Sequence, residues 1–301
     1  MPRLTARELA AVHRLEFPFW LNTLCQALWG ACFAAAAPVE LITWPVPAAV
    51  AAAVLLVEAG LVLNTVADLD SDARHPERSR LSSAAARLGR RAGLRLVVAE
   101  AAAGLALALA VSVHTGRITV ALAAVGVLLA HVLYNVEPVR LKSRGLPGAV
   151  AFACGVVALP SLLTHAALRP GLPWPTTLVL AGLTVLAAAR VVWWSVPDRD
   201  ADAAAGQRTT SVRRGSVGAL RVACVLLALG LAALVWGLWW LGGPIATVVG
   251  AAGHAVFVGS AVVLTHRVSA GEPVSSTWLR RTVMPVVLAA DVAIVAVALA
   301  T

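Results

Sequence analysis

Charged residues are scarce in this sequence. Lys, Arg, Asp and Glu make up 13% of its 301 residues, whereas they make up about 25% of a soluble globular domain. Hydrophobic residues make up 60% of the chain, and the mean hydropathy is +0.85. So little charge cannot cover the surface of a soluble domain of this length. The composition therefore excludes an ordinary soluble protein and indicates a membrane protein.

Cysteine and tyrosine are also rare, with four residues and one residue. All four cysteines lie in apolar stretches and none forms a CxxC pair: Cys25, Cys32, Cys154 and Cys224. This spacing does not support a zinc site or a disulfide framework, and small apolar packing residues are the simpler interpretation. The single tyrosine, Tyr134, would by itself indicate no more than an anchor at the membrane interface.

Long apolar runs fill almost the whole chain. A helix needs roughly 20 apolar residues to cross the hydrocarbon core of a bilayer, and nine stretches qualify. They are approximately 15–37, 46–66, 90–112, 117–135, 147–167, 174–196, 216–240, 243–265 and 276–299. Almost nothing remains for a soluble domain. The sequence therefore predicts an all-α polytopic membrane protein, with one domain over 1–301 and about nine transmembrane helices.

The net charge of +9 follows the predicted topology. Arginine and lysine concentrate before the first helix and in the loops after helices two, four, six and eight, whereas the alternate loops hold only Arg117 and Arg169. This asymmetry places the N-terminus and the charged loops in the cytoplasm and the C-terminus outside. The expected location is the cell membrane, meaning the inner membrane in a cell that has two. Nucleic-acid binding is a poor explanation for charge distributed in this way.

Two acidic clusters end the second and sixth predicted helices: NTVADLDSD at 64–72 and DRDAD at 198–202. On a helix Asn64, Asp68 and Asp72 fall on one face, as do Asp198 and Asp202, while Asp70 and Asp200 point elsewhere. Acidic residues at a solvated helix end are the plain alternative. However, helix C-termini disfavour negative charge, and carboxylates at membrane depth normally face a polar cavity.

The composition around these clusters indicates the ligand. Carboxylate and amide oxygens are the ligands that Mg²⁺ prefers, usually together with substrate phosphates. Cations lie beside both clusters and in the loop between predicted helices four and five: Arg74, Arg78, Arg140, Lys142 and Arg208. Acids alone would suit a bare cation, and bases alone would suit lipid headgroups. The mixture points to a diphosphate bound through Mg²⁺ at the cytoplasmic membrane surface.

Three motifs together resemble a known family. NTVADLDSD fits NxxxDxxxD, DRDADAAAGQRT contains DxxxD followed by an AGxRT-like tail, and YNVEPVRLKSRG at 134–145 resembles YxxxPxRLKxRG. NTVADLDSD lies at the cytoplasmic end of predicted helix two, YNVEPVRLKSRG at that of helix four and DRDADAAAGQRT at that of helix six. With nine predicted helices, this arrangement of motifs resembles that of the UbiA superfamily of intramembrane prenyltransferases. The resemblance covers essentially the whole chain, and it implies helices arranged around a central chamber.

The resemblance also implies roles for particular residues. One Mg²⁺ would be held by Asn64, Asp68 and Asp72, and a second by Asp198 and Asp202, so that the four aspartates serve catalysis. The diphosphate would contact a set of four cations: Arg78, Arg140, Lys142 and Arg208. Tyr134 would line the pocket.

Further polar and aromatic residues lie within the predicted helices. Asn22 and Gln26 share a face of the first helix and are expected to line an acceptor pocket. Trp193 and Trp194 are candidates to shield a carbocation through their ring faces, with Trp194 expected in the pocket, although such a pair more often forms a membrane-interface belt. Glu58, Glu100 and Asp291 receive no role from the sequence.

The expected function is therefore transfer of a prenyl group from an isoprenyl diphosphate to a lipophilic acceptor in contact with membrane lipid. Aromatic compounds, quinone precursors and polyprenyl compounds such as carotenoids remain open as acceptors. The alternative within enzymes is a membrane terpene cyclase on the same scaffold, in which the cation is captured intramolecularly. A non-enzymatic transporter is the alternative from another class, but transporter sites lie near the bilayer midplane, whereas these acids lie at one edge.

Overall fold

The computed structural model describes residues 5–15, 18–69 and 79–301, the last range without the side chains of residues 79 and 80. Every regular element in these ranges is helical. The helices are α1 Ala6–Val12, α2 Phe19–Ala34, α3 Pro45–Ala67, α4 Ser79–Leu88, α5 Arg90–Thr115, α6 Ile118–Asn135, α7 Leu146–Ala166, α8 Trp174–Trp194, α9 Arg199–Ala204, α10 Thr210–Ser269 and α11 Ser276–Ala300. The all-α prediction is confirmed.

Seven of these described helices are long and apolar enough to cross a membrane: α3, α5, α6, α7, α8, α10 and α11. The first predicted span corresponds to α2, which has 16 residues and is therefore shorter than a typical crossing. Short π-helical turns interrupt α7 at Cys154–Ala158 and α11 at Leu279–Val283. The count of nine crossings stays a prediction.

The seventh and eighth predicted spans fall within the 60-residue α10. A straight helix of this length would extend about 90 Å, roughly three times the hydrocarbon thickness. The backbone leaves helical geometry at Gly242 and Gly243, where Gly243 has a φ of 68° that favours glycine. Beyond this break the chain returns, because the Cys224 sulfur lies 3.5 Å from the Thr265 hydroxyl. Two antiparallel segments therefore form where two spans are predicted.

Glycines allow α8 and α10 to pack with their backbones close together. A Cβ atom at Gly182 would lie 2.7 Å from the Gly230 carbonyl oxygen, and one at Gly230 would lie 2.9 Å from the Gly182 carbonyl oxygen. Close approach through small residues is the usual way in which membrane helices associate, because lipid is as apolar as the helices themselves. This contact fixes α8, which leads directly into the second acidic cluster.

The first acidic cluster is fixed in a similar way at the end of α3. A Cβ atom at Gly60 would lie 2.2 Å from the His131 ring, so this glycine lets the ring of α6 rest against the backbone of α3. The same part of α3 is packed in the core, where three of its side chains are buried: Leu56, Val57 and Val62. The helix then ends at Ala67, immediately before Asp68.

Replacing Gly182 by alanine should destabilise the fold by about 1–3 kcal/mol, because the new methyl group must displace backbone atoms of α10. Gly259 is the matched control: it is an exposed glycine in α10, and no atom lies within 4 Å of its would-be Cβ. Gly259→Ala should leave stability unchanged or raise it by up to about 1 kcal/mol. Thermal unfolding in one detergent measures both, and equal midpoints would refute the close-packing account.

Candidate functional site

A chamber of about 880 Å³ lies among α2, α3, α7 and α8, with α1 and α11 at its rim. Most of the site residues expected from the sequence line it: Asn22, Gln26, Asn64, Asp68, Tyr134, Lys142, Trp194, Asp198 and Asp202. Apolar side chains such as Phe19, Leu61 and Phe152 complete the wall. Side chains that are far apart in sequence, and that were selected for their chemistry, therefore share one cavity.

A buried ion pair joins the end of α3 to the loop after α6. The Lys142 Nζ atom lies 2.6 Å from the Asp68 Oδ1 atom, and the two side chains are 6% and 12% exposed. Arg140 approaches the same Asp68 oxygen at 3.4 Å through Nη2. A carboxylate so little exposed needs such partners, because an uncompensated buried charge is strongly destabilising.

Local sequence explains why Lys142 points inward. It belongs to a short 3₁₀ turn, Leu141–Arg144, which lies under the start of α7. A Cβ atom at Gly148 would meet the Leu141 carbonyl oxygen at 2.4 Å, so glycine lets the turn pack directly against the helix. The turn thereby presents Lys142 to the chamber wall.

Asn64 links the acidic cluster to two further segments. With its amide oxygen facing the available donors, Asn64 accepts a hydrogen bond from Arg14 Nη2 at 2.9 Å. Its amide nitrogen donates to Asp68 Oδ2 at 3.0 Å and to Asn135 Oδ1 at 2.9 Å. Asn135 in turn donates to the His131 carbonyl oxygen at 3.0 Å. The residue before the first membrane helix and the end of α6 thus converge on the first acidic cluster.

The second cluster turns alternate acids toward the chamber. Asp198 and Asp202 both line it, and the Asp202 amide donates to the Asp198 carbonyl oxygen at 2.8 Å. The Asp200 side chain is 87% exposed and pairs with Arg199 at 2.9 Å. The side chains thus divide as helical spacing predicts, with Asp200 on the solvent side.

Arg208 is not brought to the chamber by its side chain, which is exposed. Instead its backbone amide donates to the Ser143 carbonyl oxygen at 2.9 Å, joining the segment after α9 to the 3₁₀ turn that carries Lys142. The neighbouring Gln207 lines the chamber. A side-chain contact from Arg208 to a ligand stays a prediction.

Two expected site residues, Asp72 and Arg78, lie outside the described residues, as does Asp70. Within the described ranges, no three His, Cys, Asp or Glu side chains converge closely enough to hold a metal ion. Of the predicted metal ligands that are described, Asn64 and Asp68 lie together on one wall, and Asp198 and Asp202 together on another.

The residues expected to form the pocket line the same cavity. Asn22 and Gln26 are 5% and 7% exposed, and both line the chamber from α2. Trp194 lies with its ring centroid 6.5 Å from that of Phe19, and Tyr134 lies 5.2 Å from Phe152. Trp193 instead packs in the core, 5.1 Å from Phe257.

The N-terminal segment is fastened beside the chamber. α1 begins with a capping box between Thr5 and Glu8, and Glu8 forms an ion pair with Arg87 on α4. At the other end His13 Nε2 lies 2.6 Å from Glu100 Oε1 on α5. This hydrogen bond to Glu100 raises the pKa of His13 above its usual value, although partial burial opposes the shift.

Three functional candidates were missed by sequence reasoning: Arg14, Asn135 and Arg190. Arg14 and Arg190 both line the chamber, and Asn135 reaches Asn64. Asn135 lies inside the YNVEPVRLKSRG segment and was detectable there. Arg190 carried a signal of its own, because an arginine inside an apolar span is a functional candidate by default.

Comparisons with known proteins agree with this arrangement. The profile of the UbiA prenyltransferase family matches residues 23–281. A solved UbiA homolog from Archaeoglobus fulgidus bound to GPP and Mg²⁺ superposes with a TM-score of 0.73 at 18% identity, covering 97% of this chain and 98% of that one. An apo UbiA homolog from Aeropyrum pernix K1 gives 0.69 at 22% identity, covering 93% and 96%.

A digeranylgeranylglyceryl phosphate synthase also matches, with a TM-score of 0.65, 14% identity and 98% coverage of both chains. At these identities the likeness shows the fold. The comparison with functionally curated proteins finds no match.

The contact between His13 and Glu100 should make the docking of α1 depend on pH. Because the partner raises the pKa of His13, the contact is complete below about pH 6.5, the ordinary histidine value. It is lost as pH rises through the raised pKa. Hydrogen-exchange protection of the Ala6–Val12 amides, corrected for intrinsic rates, should fall over that interval.

His13→Gln should remove this pH dependence, and His266→Gln, at an exposed position in α10, should keep it. An unchanged pH profile in the His13 variant would contradict the assignment.

Proposed function

Because the chain belongs to the UbiA prenyltransferase family, we propose that it transfers a prenyl group from an isoprenyl diphosphate to a lipophilic acceptor inside the membrane. The observation that carries this proposal is the meeting in one chamber with an apolar wall of two pairs of oxygen ligands, Asn64 with Asp68 and Asp198 with Asp202, and a buried lysine. An anion with a long hydrocarbon tail needs such a site, polar at one end and apolar beyond it.

The acidic residues fit Mg²⁺. Asp68 with Asn64, and Asp198 with Asp202, offer carboxylate and amide oxygens from two walls of the same chamber, and these are ligands that Mg²⁺ accepts together with phosphate oxygens. We assign one ion to each pair, with Asp72 completing the first. When bound, Mg²⁺ stabilises the negative charge that develops on the departing diphosphate. The Archaeoglobus fulgidus homolog bound to GPP and Mg²⁺ supports the use of a divalent metal ion with an isoprenyl diphosphate.

The chain's own cations act on the same charge. Lys142 and Arg140 both lie at Asp68, and Arg14 lies at Asn64. Each contact between unit charges at 4 Å is worth roughly 4 kcal/mol at an effective dielectric of 20, before desolvation. We propose that these cations hold the diphosphate oxygens and orient the leaving group. Arg78 and Arg208 are added on the strength of the family motif.

The chamber wall protects the reacting allylic carbon from water. As the carbon–oxygen bond to the diphosphate breaks, positive charge develops on the prenyl group. Phe19, Trp194 and Tyr134 line this space, and aromatic rings stabilise cations that lie over their faces. The acceptor then supplies the electron pair for the new bond and releases a proton. Asn22 and Gln26 would orient the acceptor from α2.

We further propose that the protein lies in the inner membrane, with the motif loops and the N-terminus in the cytoplasm and the C-terminus outside. The distribution of arginine and lysine over the predicted loops supports this orientation. A cytoplasmic site gives a water-soluble diphosphate headgroup access from the compartment where it is free, while its tail enters the apolar chamber.

Two neighbouring aspartates provide the test of this function. Asp198→Ala should lower Mg²⁺-dependent release of diphosphate by more than about a hundredfold, because it removes a carboxylate that would hold the Mg²⁺ at the leaving group. Asp200→Ala should lower it by less than about threefold, since that side chain is exposed and paired with Arg199. Initial rates with saturating Mg²⁺, prenyl diphosphate and a panel of acceptors measure both.

Equal losses in the two variants, or release that needs no divalent metal, would overturn the proposal. Diphosphate release that needs no acceptor and yields a cyclic hydrocarbon would replace transfer by cyclisation.

A further inference from the structure

A buried charge pair joins the chamber wall to the core behind it. Arg190 on α8 lines the cavity, and its side chain is 12% exposed. Its one ionic contact in the described part of the chain is to Asp291 on α11, with 3.9 Å between Nη1 and Oδ2. That distance is too long for a hydrogen bond. The guanidinium therefore faces the chamber with N–H donors that no described residue satisfies.

Asp291 is held behind this arginine and away from the chamber. Its side chain is 0% exposed, and both carboxylate oxygens lack a hydrogen-bond partner among the described residues. The Trp29 indole of α2 donates to the Asp291 carbonyl oxygen at 3.1 Å, which fixes the backbone. Such a pair adds little to stability, because burying both charges offsets most of their attraction. A role in ligand binding accounts for its place at the cavity wall.

The acceptor residues of α2 lie at the same depth as Arg190. Helices α2 and α8 are antiparallel, since Phe19 meets Trp194 at one end and Glu40 pairs with Arg169 at 2.8 Å beyond the other. Arg190 lies about 6 Å from Trp194 along α8, between the levels of Asn22 and Gln26, which lie about 4.5 and 10.5 Å from Phe19 along α2. Asn22 also has a buried Oδ1 atom without a partner among the described residues.

From this arrangement we propose that Arg190, held by Asp291, binds an uncharged oxygen group of the acceptor, a hydroxyl or a carbonyl. The inference rests on the proposed function and names the acceptor class. A hydrocarbon acceptor would leave the buried guanidinium donors unsatisfied, which is costly. A carboxylate would bring a second negative charge close to Asp291 in a medium of low dielectric. A neutral oxygen accepts the N–H groups and leaves the ion pair intact.

Binding of three matched ligands tests the proposal directly. One long acyclic isoprenoid is used as the hydrocarbon, as its terminal alcohol and as its terminal carboxylate, each radiolabelled. The protein is held in nanodiscs with Mg²⁺ and an unreactive thio analogue of the donor, and binding to empty nanodiscs is subtracted. The wild-type protein should bind the alcohol about tenfold to a hundredfold more tightly than either other ligand, as for a hydrogen bond to a charged group.

Substitutions assign the preference to Arg190. Arg190→Met should abolish it, and Arg190→Met with Asp291→Leu should do the same without leaving an unpaired carboxylate that impairs folding. Arg221→Met, at an exposed position on α10, is the matched control and should keep the preference. Tightest binding of the carboxylate, equal binding of the hydrocarbon, or a preference that survives both Arg190 variants would overturn the proposal.

Donor binding in the same nanodiscs separates this inference from the function on which it rests. Mg²⁺-dependent binding of the thio analogue should be unchanged by both Arg190 variants, because Arg190 lies away from the two pairs of metal ligands. If wild-type protein bound no donor but kept an Arg190-dependent preference for the alcohol, the transferase proposal would fail and the oxygen site would stand. If the wild-type protein bound the donor but showed no preference for the alcohol, the oxygen site would fail and the transferase proposal would stand.

Discussion

The ion pair between Asp68 and Lys142 is the interaction around which the polar end of the chamber is organised. An apolar helix that ends in a carboxylate must bring that charge to a partner, and the partner lies 74 positions away in sequence. The lysine can reach it only because the 3₁₀ turn after α6 lies tightly under α7. Asn64, Arg14 and Asn135 then gather at the same place through hydrogen bonds. Although charged residues are scarce in the chain, several of them are therefore concentrated at this one site.

Much of this arrangement was predictable because it depends on local periodicity. Apolar runs indicated the helices, and the spacing of Asp198, Asp200 and Asp202 separated the chamber-facing acids from the exposed one. The 3₁₀ turn that buries Lys142 was marked by its motif, although the burial itself was not predictable from it. Gly242 and Gly243 marked the turn between two spans, and the φ of Gly243 explains why glycine is needed there.

Contacts between distant segments were beyond sequence reasoning. Arg14 precedes the first membrane helix and belongs to no motif, yet it reaches Asn64 because His13 and Glu8 fasten α1 to α5 and α4. Arg190 faces the chamber while its partner Asp291 comes from another helix, and nothing in either local sequence joins the two. For Arg208 the motif indicated the right segment, but the contact that forms is made by its backbone. Asp72 and Arg78 lie outside the described residues, and their roles stay predictions.

The central claim is that the two ligand pairs, Asn64 with Asp68 and Asp198 with Asp202, and Lys142 bind one metal-bound diphosphate between them. A crystal structure of the protein grown in a lipid mesophase with Mn²⁺ and an unreactive thio analogue of a prenyl diphosphate tests it most directly, because Mn²⁺ replaces Mg²⁺ at oxygen sites and is identified by its anomalous X-ray scattering. The account predicts metal density beside Asp68 and beside Asp198 and Asp202, with the diphosphate between them and in contact with Lys142. Metal or diphosphate bound away from both ligand pairs would contradict it.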